Sequence, residues 1–237
     1  MHDKSLHRSL DLYHHQQCLQ VPNYNFGYSS KQNRLYSNQE NIFDDELYGQ
    51  AIKAADKAIQ YWPDRLDFRF MKANAYIAYE KESPDMALAY LQDLISENMS
   101  RQRPWEYDGT EAGKGFFEEA MQEYCFSFYS IGSPASYEAF LALSQQLSKL
   151  YPDNMGFVNN IGSYHLIRQE YKTALKYYDK VLKKQPDDYT AMQNGLLASR
   201  KMKNLKLEKK YLALIVKYGS DKDKLLAQGR LDALNRK

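Results

Sequence analysis

The side chains able to do chemistry are few in this 237-residue chain, and their spacing suits none of the common reactions. His14 and His15 adjoin, but no Glu stands between histidines at the HExxH interval and no carboxylate falls at metal-ligand spacing. The pair therefore reads as a polar helix surface. Cys18 and Cys125 are the only cysteines, far apart and outside any CxxC, which argues against a disulfide framework or a zinc site. Cys125 has no histidine beside it and reads as a small apolar packing residue. The carboxylate pairs Asp44-Asp45 and Glu118-Glu119 suit the positive ends of helices. The glycines Gly109, Gly113 and Gly115 follow no predicted strand, which argues against a phosphate loop. A helical-toroid enzyme would need a funnel of carboxylates, and the sequence offers none. The reading is of a chain that is not an enzyme, with no catalytic residue, metal or cofactor.

The elements that hold these residues read as helices. Pro and Gly number 7 and 11, and Ala, Leu, Lys, Glu and Gln are abundant, which favours long helices over a turn-rich sandwich. Apolar residues recur at intervals of three and four, as in Ala51, Ala54, Ala55, Ala58 and Ile59 and in Leu143, Leu147 and Leu150. Ser83-Pro84 and Ser133-Pro134 each put an acceptor at an N-cap and a proline at the first helical position. Asp64, Asp153, Asp187 and Ser220 are further predicted caps. These signals predict helices near 3–19, 45–62, 65–81, 84–97, 111–131, 134–150, 154–168, 170–184, 188–202, 205–218 and 221–235. Residues 20–43, polar and tyrosine-rich without period, read as an arm, and 98–110 as a loop.

Charge is uneven along the chain. Residues 165–237 hold 18 Lys and Arg against 8 Asp and Glu, and residues 1–164 hold 14 against 22. Lys172, Lys176, Lys180 and Lys183 recur at helical spacing, as the solvated face of one helix does. A basic third also fits an acidic or nucleic-acid partner. No apolar run approaches the ~20 residues that span a bilayer, and the first thirty residues lack the apolar stretch of a signal peptide. The expected compartment is the cytoplasm, or the periplasm or exterior if an export signal has been removed.

Pro152 and Pro186 lie 34 residues apart, each just past a helix. Between them Val158, Ile161-Gly162, His165, Tyr171, Ala174, Tyr178, Val181 and Pro186 follow the spacing W-x₂-L-G-x₂-Y…A-x₃-F…P, with Val for Trp and His for the first Tyr. The segment resembles the tetratricopeptide repeat family, in a divergent, bacterial-type form. In the same register, Tyr48, Ala51, Ala55 and Ala58 belong to an earlier second helix ending at Pro63. Ala73, Tyr76, Ala87, Leu91 and Leu94 make a second unit. The unit ending at Pro152 is degenerate, with Phe128 and Phe140 where small residues are expected, so its helices should stand farther apart. After Pro186 the match fades, with Glu208 at a small position, as in a capping unit with a polar outer face. Gly162 and Ala174 are read as the facing small pair of the best repeat.

The resemblance implies an all-α superhelical array of antiparallel helix pairs, an α-solenoid. Its parts would be an N-terminal helix and arm over 1–43, repeats over 44–98, an insertion over 99–120, and repeats with capping helices over 121–237. It further implies a groove lined by the first helix of each pair, carrying Asp67, Phe70, Met71 and Asn74, then Gln122, Cys125, Phe126 and Tyr129, then Asn159, Asn160 and Ser163, then Gln193 and Asn194. Asn side chains donate and accept, so a ladder of them can hold an extended peptide backbone, with Phe and Tyr as anchors. The other reading of Phe126 and Tyr129 is that they pack against the neighbouring helix. The Lys and Arg by which some relatives clamp acidic chaperone tails are replaced here by Asn, Gln, Gly or Phe. The dense aromatics from Trp105 to Tyr129 are expected to be buried between units rather than exposed as a patch. The expected function is a scaffold binding a protein or peptide partner, with no membrane span. The alternative is a helical-repeat RNA-binding protein that uses the basic C-terminal third.

Overall fold

A computed structural model describes residues 39–80 and 83–236, with side chains from Glu46 onward. The predicted helix 3–19, His14-His15, Cys18 and most of the predicted arm lie outside the described residues. The described chain is all-α apart from one short hairpin. Its helices are α1 (Gln39–Tyr61), α2 (Leu66–Glu80), α3 (Asp85–Ser100), α4 (Phe116–Ile131), α5 (Pro134–Leu150), α6 (Met155–Ile167), α7 (Tyr171–Lys184), α8 (Tyr189–Lys201), α9 (Leu205–Tyr218) and α10 (Asp221–Asn235). The hairpin pairs β1 (Glu106–Tyr107) with β2 (Thr110–Glu111), Tyr107 opposite Thr110. Residues 39–43, read as arm, are the start of α1. Leu47–Lys237 form one compact unit. Among the described residues no helix is long and apolar enough to cross a membrane.

Local chemistry sets the helix ends. Ser133 caps α5, its Oγ accepting from the Ser136 amide at 3.0 Å while Ser136 Oγ accepts from the Ser133 amide, with Pro134 at the first turn. Ser220 caps α10 as expected. The caps of α6 and α8 fall one residue later than predicted, on Asn154 and Asp188, whose side chains accept from the amides of Gly156 and Ala191. Ser83 does not cap α3. The Glu80 carboxylate reaches over from α2 instead and accepts from the amides of Met86 at 2.6 Å and Ala87 at 2.9 Å. A carboxylate there satisfies two orphan donors and opposes the helix dipole.

Consecutive helices pack against one another from α4 to α10 and from α2 to α3. Beyond neighbours, α4 touches α6 and α6 touches α8, so the first helices of successive pairs lie side by side. Two apolar clusters hold the stack, one centred on Leu91, Met121, Phe128, Leu143 and Phe157, the other on Val158, Tyr178, Val181, Met192 and Tyr211. They meet at α6, which contributes Phe157 and Tyr164 to the first and Met155 and Val158 to the second. A helix between two cores is buried nearly all round, and α6 is. On α7, by contrast, Ala174, Leu175, Tyr178, Val181 and Leu182 are buried, and Lys172, Lys176, Lys180 and Lys183 are exposed as expected.

The close crossing in the best repeat is made by a glycine against a ring. A Cβ on Gly162 would stand 2.7 Å from the Tyr178 ring, so Tyr178, not Ala174, fills the space that the glycine leaves. The same device recurs in α8 and α9, where a Cβ on Gly195 would stand 2.1 Å from the Tyr211 ring. Relative to the 34-residue register both partners have moved back by one, so the pair is kept. The glycine–ring crossing thus continues after Pro186, where the written pattern fades. Glu208, at the expected small position, is buried, and its Oε1 accepts from Arg200 Nε at 3.0 Å and Arg230 Nε at 2.9 Å. That tie joins α8, α9 and α10. The outer face of α10 is less polar than expected of a cap, since Leu225 and Leu226 are exposed.

The insertion is an ordered hairpin rather than a loop. Asp108 and Gly109 both take positive φ, 49° and 77°, as a two-residue I′-type turn requires. Thus β2 does precede Gly113 and Gly115, contrary to the expectation that no strand does. It is a two-residue antiparallel strand, though, and not the parallel strand of a nucleotide-binding βαβ unit. The predicted helix over 111–131 begins only at Phe116, after Gly115 at φ 93°. Trp105 fastens the hairpin. Its Nε1 donates to Asn98 Oδ1 at 2.8 Å, and the guanidinium carbons of Arg101 and Arg69 stand 3.5 Å and 4.7 Å from its ring centroid. Arg69 also donates to Glu97 at 2.7 Å, and Arg101 pairs with Asp64. Phe128 and Phe140 are both buried in the degenerate unit.

Candidate functional site

The expected ladder divides when its residues are followed onto the structure. Asp67 is taken up locally, its carboxylate accepting from Arg65 Nε at 2.8 Å and Nη2 at 2.6 Å. Phe70 packs with Tyr107, Phe116 and Tyr124, and its carbonyl accepts from the Tyr124 hydroxyl at 3.3 Å. It belongs to the wall that supports the hairpin, not to a groove. Met71 and Asn74 are half-buried on α2, outside the bonds described next. Cys125 is buried and so cannot line a groove. Burial pushes its thiol up to about 12, and the Ser144 and Asn160 side chains beside it offset this only in part.

The remaining residues come together across three helices. Gln122 Nε2 on α4 donates to Asn160 Oδ1 on α6 at 3.2 Å. From α6, Asn159 Nδ2 donates at 3.2 Å to Asp188 Oδ1, the cap of α8. From α8, Asn194 Nδ2 donates to Ser163 Oγ on α6 at 3.4 Å. Gln193 is half-buried and bonds toward Tyr189, itself exposed. One side-chain bond or more thus links each first helix to the next.

These bonds leave capacity unused. Gln122 Oε1, Asn159 Oδ1, Asn160 Nδ2 and the Tyr178 hydroxyl are buried without a hydrogen-bond partner of good geometry. Asn159 and Asn160 are only 7% and 8% exposed. The Tyr178 hydroxyl is pushed up to about 12 by burial, against a smaller opposing effect of the Ser163 and Asn194 side chains beside it. An orphaned buried amide atom costs about 1–3 kcal/mol, so two acceptors, a donor and a hydroxyl left open along one run of helices are an unusual concentration. At the α4 end Phe126 and Tyr129 are 42% and 41% exposed, with ring centroids 6.2 Å apart. Tyr129 also leans on Phe140 of α5 at 5.5 Å, as the packing reading of the pair expects. Of the dense aromatic stretch, Trp105, Phe117, Tyr124 and Phe128 are buried as expected.

Asp188 and Tyr178 were not singled out as site residues. The spacing of 34 from Asn154 to Asp188 carries the signal for Asp188, since the two cap equivalent helices. Tyr178 was read as packing, which its ring does; only the fold brings its hydroxyl to the amides. A cleft of about 680 Å³ lies elsewhere, at the base of the hairpin, lined by Leu66, Trp105, Phe117, Glu118 and Tyr151 among others. Among the described residues no group of three or more His, Cys, Asp or Glu is placed to hold a metal ion. No protein-family model and no curated protein matches the chain.

Proposed function

We propose that the chain is a tetratricopeptide-like superhelical array, a scaffold without chemistry of its own, that holds an extended peptide along the first helices α4, α6 and α8. The observation that carries this reading is the run of side-chain amides on Gln122, Asn159, Asn160 and Asn194 that links α4, α6 and α8, beside the exposed rings of Phe126 and Tyr129. An extended backbone offers alternating N–H and C=O groups, which complement an acceptor and a donor spaced along a helix run. Because amides on the ladder engage the main chain, selectivity falls to side-chain pockets, and Phe126 with Tyr129 supplies an aromatic anchor at one end. The 34-residue register, the side-by-side first helices and the glycine-ring crossings support the array.

A displayed library of random peptides, selected on the full chain, supplies the ligand for the test. The double variant Asn159→Ala, Asn160→Ala is expected to bind the selected peptides at least tenfold more weakly, while its helical circular dichroism is kept. Peptides that bind both proteins equally would move the site off the ladder.

A further inference from the structure

A second surface lies on helices that the ladder does not use. On α7 Lys172, Lys176, Lys180 and Lys183 are exposed, and on α9 Lys206 and Lys210 are. Four residues advance a helix by about 6 Å, so Lys172, Lys176 and Lys180 follow one another along one side of α7, each about 6 Å further along its axis. Asp179 joins the two helices, its Oδ1 accepting from Lys210 Nζ at 2.6 Å and from the Tyr211 hydroxyl at 2.7 Å. That junction fixes Lys210 beside the α7 row, a placement that sequence spacing alone does not give. Asp179 and Glu208 are the only acids on the two helices, and both are engaged already. Among the described residues the other five lysines enter no ion pair.

Such a face is self-repulsive until an anion neutralises it, and a row of charges fits a row of anions. No Arg, Asn or Gln stands among these lysines, so the face lacks the forked side chains that pair with base edges in a fixed geometry. Tyr171, Tyr177 and Tyr218 are half-buried, and Tyr178 and Tyr211 are buried, so no open ring platform serves an unpaired strand. Leu205, at the very start of α9, is the one large apolar residue strongly exposed on the two helices, too little for insertion into a lipid surface.

We propose that the α7–α9 face binds the sugar–phosphate backbone of a nucleic-acid duplex, without sequence preference. Fluorescence polarisation of the full chain with a labelled DNA duplex of mixed sequence tests this. Neutralising about four phosphates predicts that affinity falls by about 100-fold between 50 and 200 mM salt. Replacing Lys176, Lys180 and Lys210 by Glu should weaken duplex binding at 50 mM salt by at least tenfold. The milder set Lys172→Gln, Lys176→Gln, Lys180→Gln, which leaves the Asp179 junction intact, should flatten the salt dependence. Asn159→Ala with Asn160→Ala should leave duplex binding unchanged. No duplex binding at 50 mM salt would overturn the proposal, as would equal binding by the lysine variants. Tighter binding to an unpaired strand of the same sequence, or to vesicles rich in anionic lipid, would overturn it as well.

Discussion

Glu208 is a carboxylate buried where the repeat pattern wants a small residue, and its surroundings explain how it is tolerated. Burial alone would raise its pKa, but hydrogen bonds from Arg230 and Arg200, with their charges, hold it below the ordinary carboxylate value. A carboxyl depressed in the folded state stabilises the fold above its unfolded pKa, about 4.3, and that contribution is lost as pH falls through the folded value. Thermal melts should therefore lose this contribution only below about pH 4. Glu208→Gln removes the charge and keeps the shape, and at pH 7 it should cost about 2 kcal/mol, or roughly 6 °C in midpoint for a chain of this size. Its melting point should then fall less than the parent's between pH 6 and pH 3. Equal acid sensitivity in both proteins would mean that the two arginines do not hold the carboxylate. At this scale the sequence was legible where a residue acts through its type. The exposed lysines of α7 and the buried Cys125 are examples. It was not legible where a partner comes from another helix: Glu208 reads as the polar face of a cap, and the fold instead buries it between Arg200 and Arg230.

Between elements, the deciding contacts are two glycines that admit tyrosine rings. A methyl group on Gly195 would overlap the Tyr211 ring, which is fully buried in the core and has little room to move aside. Gly195→Ala should therefore destabilise the chain by about 3 kcal/mol. Gly229→Ala is the control: it lies in the exposed face of α10 with nothing within 4 Å of a new Cβ. There alanine should stabilise by up to about 1 kcal/mol, its intrinsic helix preference over glycine. Urea unfolding of the two variants should shift in opposite directions, and a shift in the same direction would contradict the close-crossing account. Helix positions could be read from periodicity and caps because those signals are local. The hairpin was missed although Asp108-Gly109 between Tyr107 and Thr110 is a strong turn signal; two-residue strands give no alternation to accompany it. The Gly195–Tyr211 contact was not legible, because a one-residue shift in both helices keeps the contact while breaking the written pattern.

Across the described residues, alternate helices present different side chains. The first helices α4, α6 and α8 carry linked amides with unused hydrogen-bonding capacity, and the second helices α7 and α9 carry unpaired lysines. The uneven charge along the chain thus places exposed lysines on α7 and α9. The amide ladder was legible from the repeat register only for α4, α6 and α8. It failed for α2, where the inserted hairpin draws Phe70 into its own wall and Arg65 occupies Asp67. The central claim is that a peptide lies along the three first helices. Its most direct test follows the side-chain amide NMR signals of Gln122, Asn159, Asn160 and Asn194 while a library-selected peptide is added. These four signals should shift together and saturate with the peptide, with little change at the lysines of α7 and α9. If they stay in place while signals elsewhere move, the peptide does not lie on the ladder.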